Sequence, residues 1–182
     1  MRFVPTDLPG VVVVEPEMLR DERGSFARTV CREEFAAHGL ETDWVQQSTS
    51  YSHRAGTLRG MHYQRPPHAE AKLVRVTAGA IYDVVVDLLP GSPTLGRWTA
   101  IELLARDRLT LYIPKGCAHG FQTLVDGVEV LYQMSVPYAP EAATGVRWDD
   151  PALAIEWPEA PVRAISARDR AWLDWTPPAQ PA

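Results

Sequence analysis

The densest run of side chains able to do chemistry is Leu58-Arg59-Gly60-Met61-His62-Tyr63-Gln64. Read as a strand, its period-2 alternation sends Arg59, Met61 and Tyr63 to one face and Leu58, Gly60, His62 and Gln64 to the other. If that second face lines a cavity, His62 is placed as a general base, the role for which imidazole is the usual side chain. The alternative is a hydrogen-bonded core histidine. Pro66-Pro67 turns the chain and Lys72 opens the next strand, so a hairpin here would bring an ammonium close to His62. A carboxylate partner would orient the imidazole and stabilise its protonated form, and Asp169 is the candidate. Yet Ser166-Ala167-Arg168-Asp169 also reads as a helix-start capping box in which Asp169 serves only the backbone, and local sequence alone favours the cap.

A second cluster, Pro114-Lys115-Gly116-Cys117-Ala118-His119-Gly120-Phe121, flanks His119 with glycines that permit close backbone approach, to a neighbouring strand or to a ligand. Metal-binding β barrels commonly pair histidines at i and i+2 and add a carboxylate four or five residues on. Here His62 is followed by Gln64, Pro66 and Pro67. One good ligand stands where three or four are wanted, and no spacing recruits His53, His68 or His119. The expectation is no metal and no cofactor.

Short apolar, β-branched runs must carry these residues. Strands are expected at Val11–Glu15, Trp44–Ser50, Leu58–Gln64, Ala71–Thr77, Gly79–Asp87, Arg97–Leu104, Arg108–Ile113, His119–Leu124 and Glu129–Ser135. Between them stand Pro66-Pro67, Leu89-Pro90-Gly91-Ser92-Pro93, Pro114-Lys115-Gly116 and Asp126-Gly127, the last reading as a hairpin turn. Helix is expected at Glu33–His38, stopped by Gly39, and briefly after Ser166. So many short strands with so little helix give an all-β fold, a closed or double-sheet barrel such as a jelly roll. Residues 1–175 read as one domain and 176–182, with three prolines, as a frayed tail.

Composition narrows the function classes. At 182 residues, 46% hydrophobic and 23% charged, the chain is ordinary globular protein. A net charge of -5 disfavours nucleic acid as the main partner, though a few arginines suffice for one phosphorylated small molecule. Two cysteines are too few for a disulfide framework, and Val11–Val14 is too short for a signal or membrane segment. A cytoplasmic protein without membrane association is expected.

Taken together, the motifs resemble the dTDP-4-dehydrorhamnose 3,5-epimerase family, from about Val11 to Asp169. They run in the family's order: Asp21-Glu22-Arg23-Gly24, Gln46-Gln47-Ser48, the 58–64 run, Lys72, Gly91-Ser92-Pro93-Thr94 with Gly96, Pro114-Lys115-Gly116 through His119-Gly120-Phe121, Tyr132, Tyr138 and Arg147-Trp148-Asp149-Asp150-Pro151. Each is weak alone and the ordered set is specific. The resemblance implies a cupin-like double-stranded β-helix and a metal-independent epimerase acting on a nucleotide-diphosphate 4-keto-6-deoxysugar. It casts His62 as base, Asp169 as its dyad partner, Tyr132 as proton donor on the opposite face of the sugar and Lys72 beside the C4 oxygen. It also implies substrate contacts by Arg23, Gln47, Arg59 and His119, a base-stacking Tyr138, and a homodimer in which residues near the amino-terminal strand reach the partner's site; Tyr138 fits a barrel-rim tyrosine equally well, and Phe26 reads as pocket lining or simple core. Cys117 has no counterpart role and reads as a small apolar packing group.

Departures from the family pattern bear on specificity. Position 28, usually glutamate near the thymine, is Arg28, which cannot accept the thymine N3 hydrogen and suits a base presenting acceptors, such as cytosine, or the phosphates. Ala143 replaces a frequent glutamate, and Ser25 a bulkier residue. The alternatives are an epimerase acting at C3 or C5 alone, on a variant such as a CDP-linked sugar; a non-catalytic binding barrel; and a metal-dependent cupin.

Overall fold

A computed structural model describes residues 1–158, 162 and 164–177. In chain order the strands are β1 (Arg2–Pro5), β2 (Val12–Glu15), β3 (Leu19–Asp21), β4 (Gly24–Phe26), β5 (Gln46–Ser52), β6 (Thr57–Gln64), β7 (Lys72–Ala78), β8 (Ala80–Asp87), β9 (Trp98–Leu104), β10 (Thr110–Ile113), β11 (Cys117–Thr123), β12 (Val128–Met134), β13 (Ala143–Gly145) and β14 (Ala164–Ile165). The helices are α1 (Arg32–Ala37) and α2 (Ala167–Arg170). All nine expected strands and both expected helices are present, with bounds shifted by one or two residues. Most of the expected tail, residues 178–182, lies outside the described residues.

Two sheets face each other. One runs β1-β2-β10-β7-β12-β5, the other β13-β6-β11-β8-β9, with β14 added parallel to β6. From β5 to β12 the chain passes repeatedly between the sheets, which is the cupin-like jelly roll. This corrects two sequence expectations. Pro66-Pro67 and Asp126-Gly127 do not close hairpins: β6 and β7, like β11 and β12, belong to opposite sheets. The turns are the expected ones, but turn chemistry alone does not reveal which sheet the next strand joins.

The core lies between the sheets, where Val74, Val76, Val85, Ile81, Leu111, Phe121, Val128 and Val130 are buried. Each such side chain contributes about 1.5–3 kcal/mol. Both outer faces are also covered. Phe35 of α1 packs with Val14, Leu73 and Tyr112 on the first sheet, and Val146, Leu153 and Ile155 pack on Met61, Val84 and Val86 of the second. Double coverage explains why β8 reads as an almost continuous apolar run rather than an alternation. Gly39, at φ +68, ends α1.

Along β7 and β12 the inward residues change character. Val76 and Val74 give way to Lys72, and Val128 and Val130 to Tyr132. One end of the barrel is therefore apolar and filled, and the other is polar and open.

Candidate active site

The open end is a cavity of about 690 Å³ lined from both sheets. His62 enters on β6, His119 on β11, Lys72 on β7 and Tyr132 on β12; His62 and His119 are register partners. Asp169 and Arg168 come from α2, and Tyr138 from the loop after β12.

Strict alternation fails in β6, and the site depends on that. Against β11, His119 pairs with His62 but Phe121 pairs with Arg59, so β6 carries one extra residue there. Gly60 and Gly120 lie back to back: a Cβ on Gly60 would sit 2.6 Å from Gly120 Cα. The bulge turns Arg59 inward beside His62, correcting the expectation that the two occupy opposite faces. Arg59 then reaches across to β5, where its guanidinium donates to Ser52 Oγ (3.1 Å) and Tyr51 O (2.9 Å).

His62 Nε2 lies 2.7 Å from Asp169 Oδ1. A carboxylate only accepts, so Nε2 donates, and in the neutral imidazole this leaves the lone pair on Nδ1. Both sequence readings of Asp169 meet here. Its N–H donates to Ser166 Oγ (3.0 Å), the expected cap, while its carboxylate leaves the backbone of its own helix for His62 and for Gly60 N–H on β6 (3.4 Å). Burial alone would raise the Asp169 carboxyl; the His62 hydrogen bond and charge, with Gly60 and Ser166, outweigh it and hold it below the ordinary value.

A second dyad stands on the same sheet as His62, on the neighbouring strands β11 and β8. His119 Nε2 lies 2.6 Å from Asp83 Oδ1, both side chains buried. Burial pushes Asp83 up, opposed by His119 and by the charge of Lys72. Tyr132 packs edge-on against His119, with centroids 6.2 Å apart. Burial pushes its phenol well above the ordinary tyrosine value, Asp83 adds to the rise, and Arg59 opposes it. Tyr132 thus stays a neutral O–H donor at working pH. Cys117 is pushed up to about 12 by burial and is a neutral packing thiol.

Several expected residues are not in the cavity. Gln47 points outward on β5; its neighbour Gln46 lines the cavity instead and accepts from Tyr138 N–H (2.9 Å). A one-residue offset on a strand exchanges faces, and the adjacent glutamines gave no local signal to choose between them. Arg23 and Phe26 lie on the β3–β4 hairpin, their side chains turned to solvent at 85% and 70% exposure, and line only a small separate hollow. Arg28 pairs loosely with Glu34 (3.4 Å). Within one chain the structure does not bring these three to His62.

Other residues were missed. Asp83 was legible as a lone carboxylate inside the apolar run Ala80–Val86. Arg168, over the Trp172 ring at 5.3 Å, and Glu70 had no signal beyond nearness in sequence to Asp169 and Lys72. Among the described residues no three of His, Cys, Asp and Glu converge as metal ligands, and no helix is long and apolar enough to cross a membrane.

Known proteins share this architecture. The family profile for dTDP-4-dehydrorhamnose 3,5-epimerase matches residues 5–176. The dTDP-4-dehydrorhamnose 3,5-epimerase of Methanothermobacter thermautotrophicus is 44% identical over 173 residues, covering 94% of this chain and 92% of its own. The Bacillus anthracis enzyme, crystallised with TDP and PPi bound, superposes with a TM-score of 0.92 at 38% identity, covering 96% of this chain and 99% of its own. ChmJ, a 3'-monoepimerase from Streptomyces bikiniensis in complex with dTDP-quinovose, superposes at 0.87 and 34% identity, covering 94% and 86%. A jelly roll of this topology, matched over nearly its whole length at these identities, belongs to the dTDP-4-dehydrorhamnose 3,5-epimerase family.

Proposed function

We propose that this epimerase inverts C3 and C5 of dTDP-4-keto-6-deoxyglucose by proton transfer across the ring, using only its own side chains. The observation that carries this reading is that a histidine–carboxylate base and a neutral, partly buried phenol stand on opposite sheets of one cavity, with an ammonium beside them. The 4-ketone acidifies the hydrogens on C3 and C5. His62 Nδ1 takes one, its C–H electron pair moves into an enolate, and charge builds on O4. Lys72 stabilises that charge; a fixed donor of this kind contributes about 3–4 kcal/mol. Tyr132 then protonates the carbon from the other face, which inverts it, and solvent restores both groups.

The diphosphate falls to Arg59 and Arg168 at the cavity mouth, with Tyr138 against the base. Arg23, Phe26 and Arg28 serve the neighbouring subunit of a homodimer, which accounts for an exposed phenylalanine and arginine on a projecting hairpin. We place the activity in the cytoplasm, where the free thiols Cys31 and Cys117 stay reduced. Inversion at C3 alone is the second reading, supported by the likeness to the Streptomyces monoepimerase.

Incubation with dTDP-4-keto-6-deoxyglucose in D₂O, followed by NMR, tests the proposal. Deuterium is expected at both carbons, and His62→Ala should slow its entry by about 10²–10⁴-fold. Entry at C3 alone establishes the monoepimerase. No entry with this substrate, but entry with the CDP-linked analogue, assigns the nucleotide to Arg28's preference.

A further inference from the structure

We infer that Glu70 is a positioning residue for Lys72, fixing the ammonium so that one N–H is left to meet the substrate oxygen. The inference rests on the epimerase reading above and concerns a residue to which that reading assigns no task.

Glu70 lines the cavity just before β7, and its Oε1 lies 3.1 Å from Lys72 Nζ. Both side chains are almost withdrawn from solvent, at 10% and 11% exposure, so this is not a loose surface pair. An ammonium has three N–H donors. One is taken by Glu70 and a second points to the His62 backbone carbonyl at 3.4 Å. Tetrahedral geometry then leaves a single direction for the third. Lysine has a flexible four-carbon stem and no planar fork to orient it, so the direction must come from its partners.

Glu70 is itself held. Gln64 Nε2 donates to Glu70 Oε2 at 3.3 Å, and Gln64 Oε1 accepts from Ala139 N–H at 2.7 Å. Buried Gln64 thus ties the carboxylate to the backbone of the loop after β12. The relay Ala139–Gln64–Glu70–Lys72 links that loop to the ammonium on β7. Asp83 is the other acid near Lys72, but it is engaged by His119. Glu70 is therefore the carboxylate in direct contact with Nζ.

The test compares Glu70→Gln, Lys72→Met and the double variant with wild type, reading deuterium entry, KM, dTDP affinity and thermal midpoint. Glu70→Gln keeps the shape and removes the charge. Its kcat is expected to fall by about tenfold, part of the ~10²–10³ lost when a fixed donor is removed outright, with KM and dTDP affinity within about twofold. In the Lys72→Met background the same change should cost nothing further, because a residue acting through Lys72 has nothing left to act on. Should Glu70→Gln not fold, Glu70→Asp carries the test, since it keeps the charge and draws it back from Nζ. Its kcat should fall with KM unchanged. Wild-type kcat in the folded variant, or an equal loss in both lysine backgrounds, overturns the role of Glu70. Wild-type protein that takes up no deuterium from either nucleotide sugar removes the epimerase reading and this inference with it.

Discussion

At 2.7 Å from His62, the Asp169 carboxylate does two jobs at once, and its depressed pKa makes one of them measurable. Burial is overcome by the His62 hydrogen bond and charge, so the folded state holds its proton less tightly than the unfolded chain, where the value is ordinary, 3.8. With fewer protons bound when folded, stability rises with pH through that window. The contribution is fully present above the unfolded value and is lost as pH falls through the lower, folded one. Denaturant midpoints of wild type and Asp169→Asn should therefore differ more at neutral pH than at a pH well below the unfolded value of 3.8. An equal gap at both pH values would mean that the carboxylate's charge does not matter. At this scale the sequence was informative but ambiguous. Ser166–Asp169 looked like a cap and is one; that the side chain of Asp169 is free for His62 follows only from the position of α2 over β6.

At the scale of elements, the β6–β11 seam decides the site. The extra residue in β6 sets Arg59 and His62 on the same side, and two facing glycines allow the strands to approach closely enough for it. A Cβ on Gly120 would stand 2.6 Å from Met61 Sδ, 2.8 Å from Arg59 O and 2.9 Å from Gly60 Cα. Backbone cannot step aside as a side-chain end can. Gly120→Ala is expected to destabilise by about 1–3 kcal/mol, an overpacking cost, which lowers the melting midpoint by several degrees. Turnover should fall further than the loss of folded protein explains, because the residues flanking the bulge are Arg59 and His62. Unchanged melting and turnover would show that the seam has slack. The strands were legible because apolar runs and turn residues are local signals. The bulge was not, since a period-2 reading assumes an unbroken ladder and both glycines are needed to break it.

The whole molecule leaves one expected set of residues unused. Arg23 and Phe26 stand out in solvent on the β3–β4 hairpin, away from His62. If they complete a partner's cavity, His62→Ala and Arg23→Ala, each impaired alone, should complement when co-expressed. In a mixed two-fold dimer one site carries both defects and the other neither. Random pairing makes half the dimers mixed, so roughly a quarter of wild-type activity should return. Activity no greater than the two variants' own residual rates would place the hairpin's role within its own chain. Sedimentation of wild type supplies the dimer itself.

The sequence by itself marked nine of the fourteen strands, the jelly-roll class, the family and, through the ordered motifs, His62, Lys72 and Tyr132 as candidates that the cavity does bring together, because each leaves a local or ordered mark in the chain. Tertiary structure decided which residues meet. It put β6 and β7 on opposite sheets instead of in a hairpin, turned Gln46 inward in place of Gln47, and paired Asp83 with His119 and Glu70 with Lys72. It also kept Arg23, Phe26 and Arg28 away from the cavity of their own chain. The physical reason is the same each time: periodicity fixes which face a side chain takes along one strand, but pairing, register and bulges are set by contacts between segments far apart in sequence.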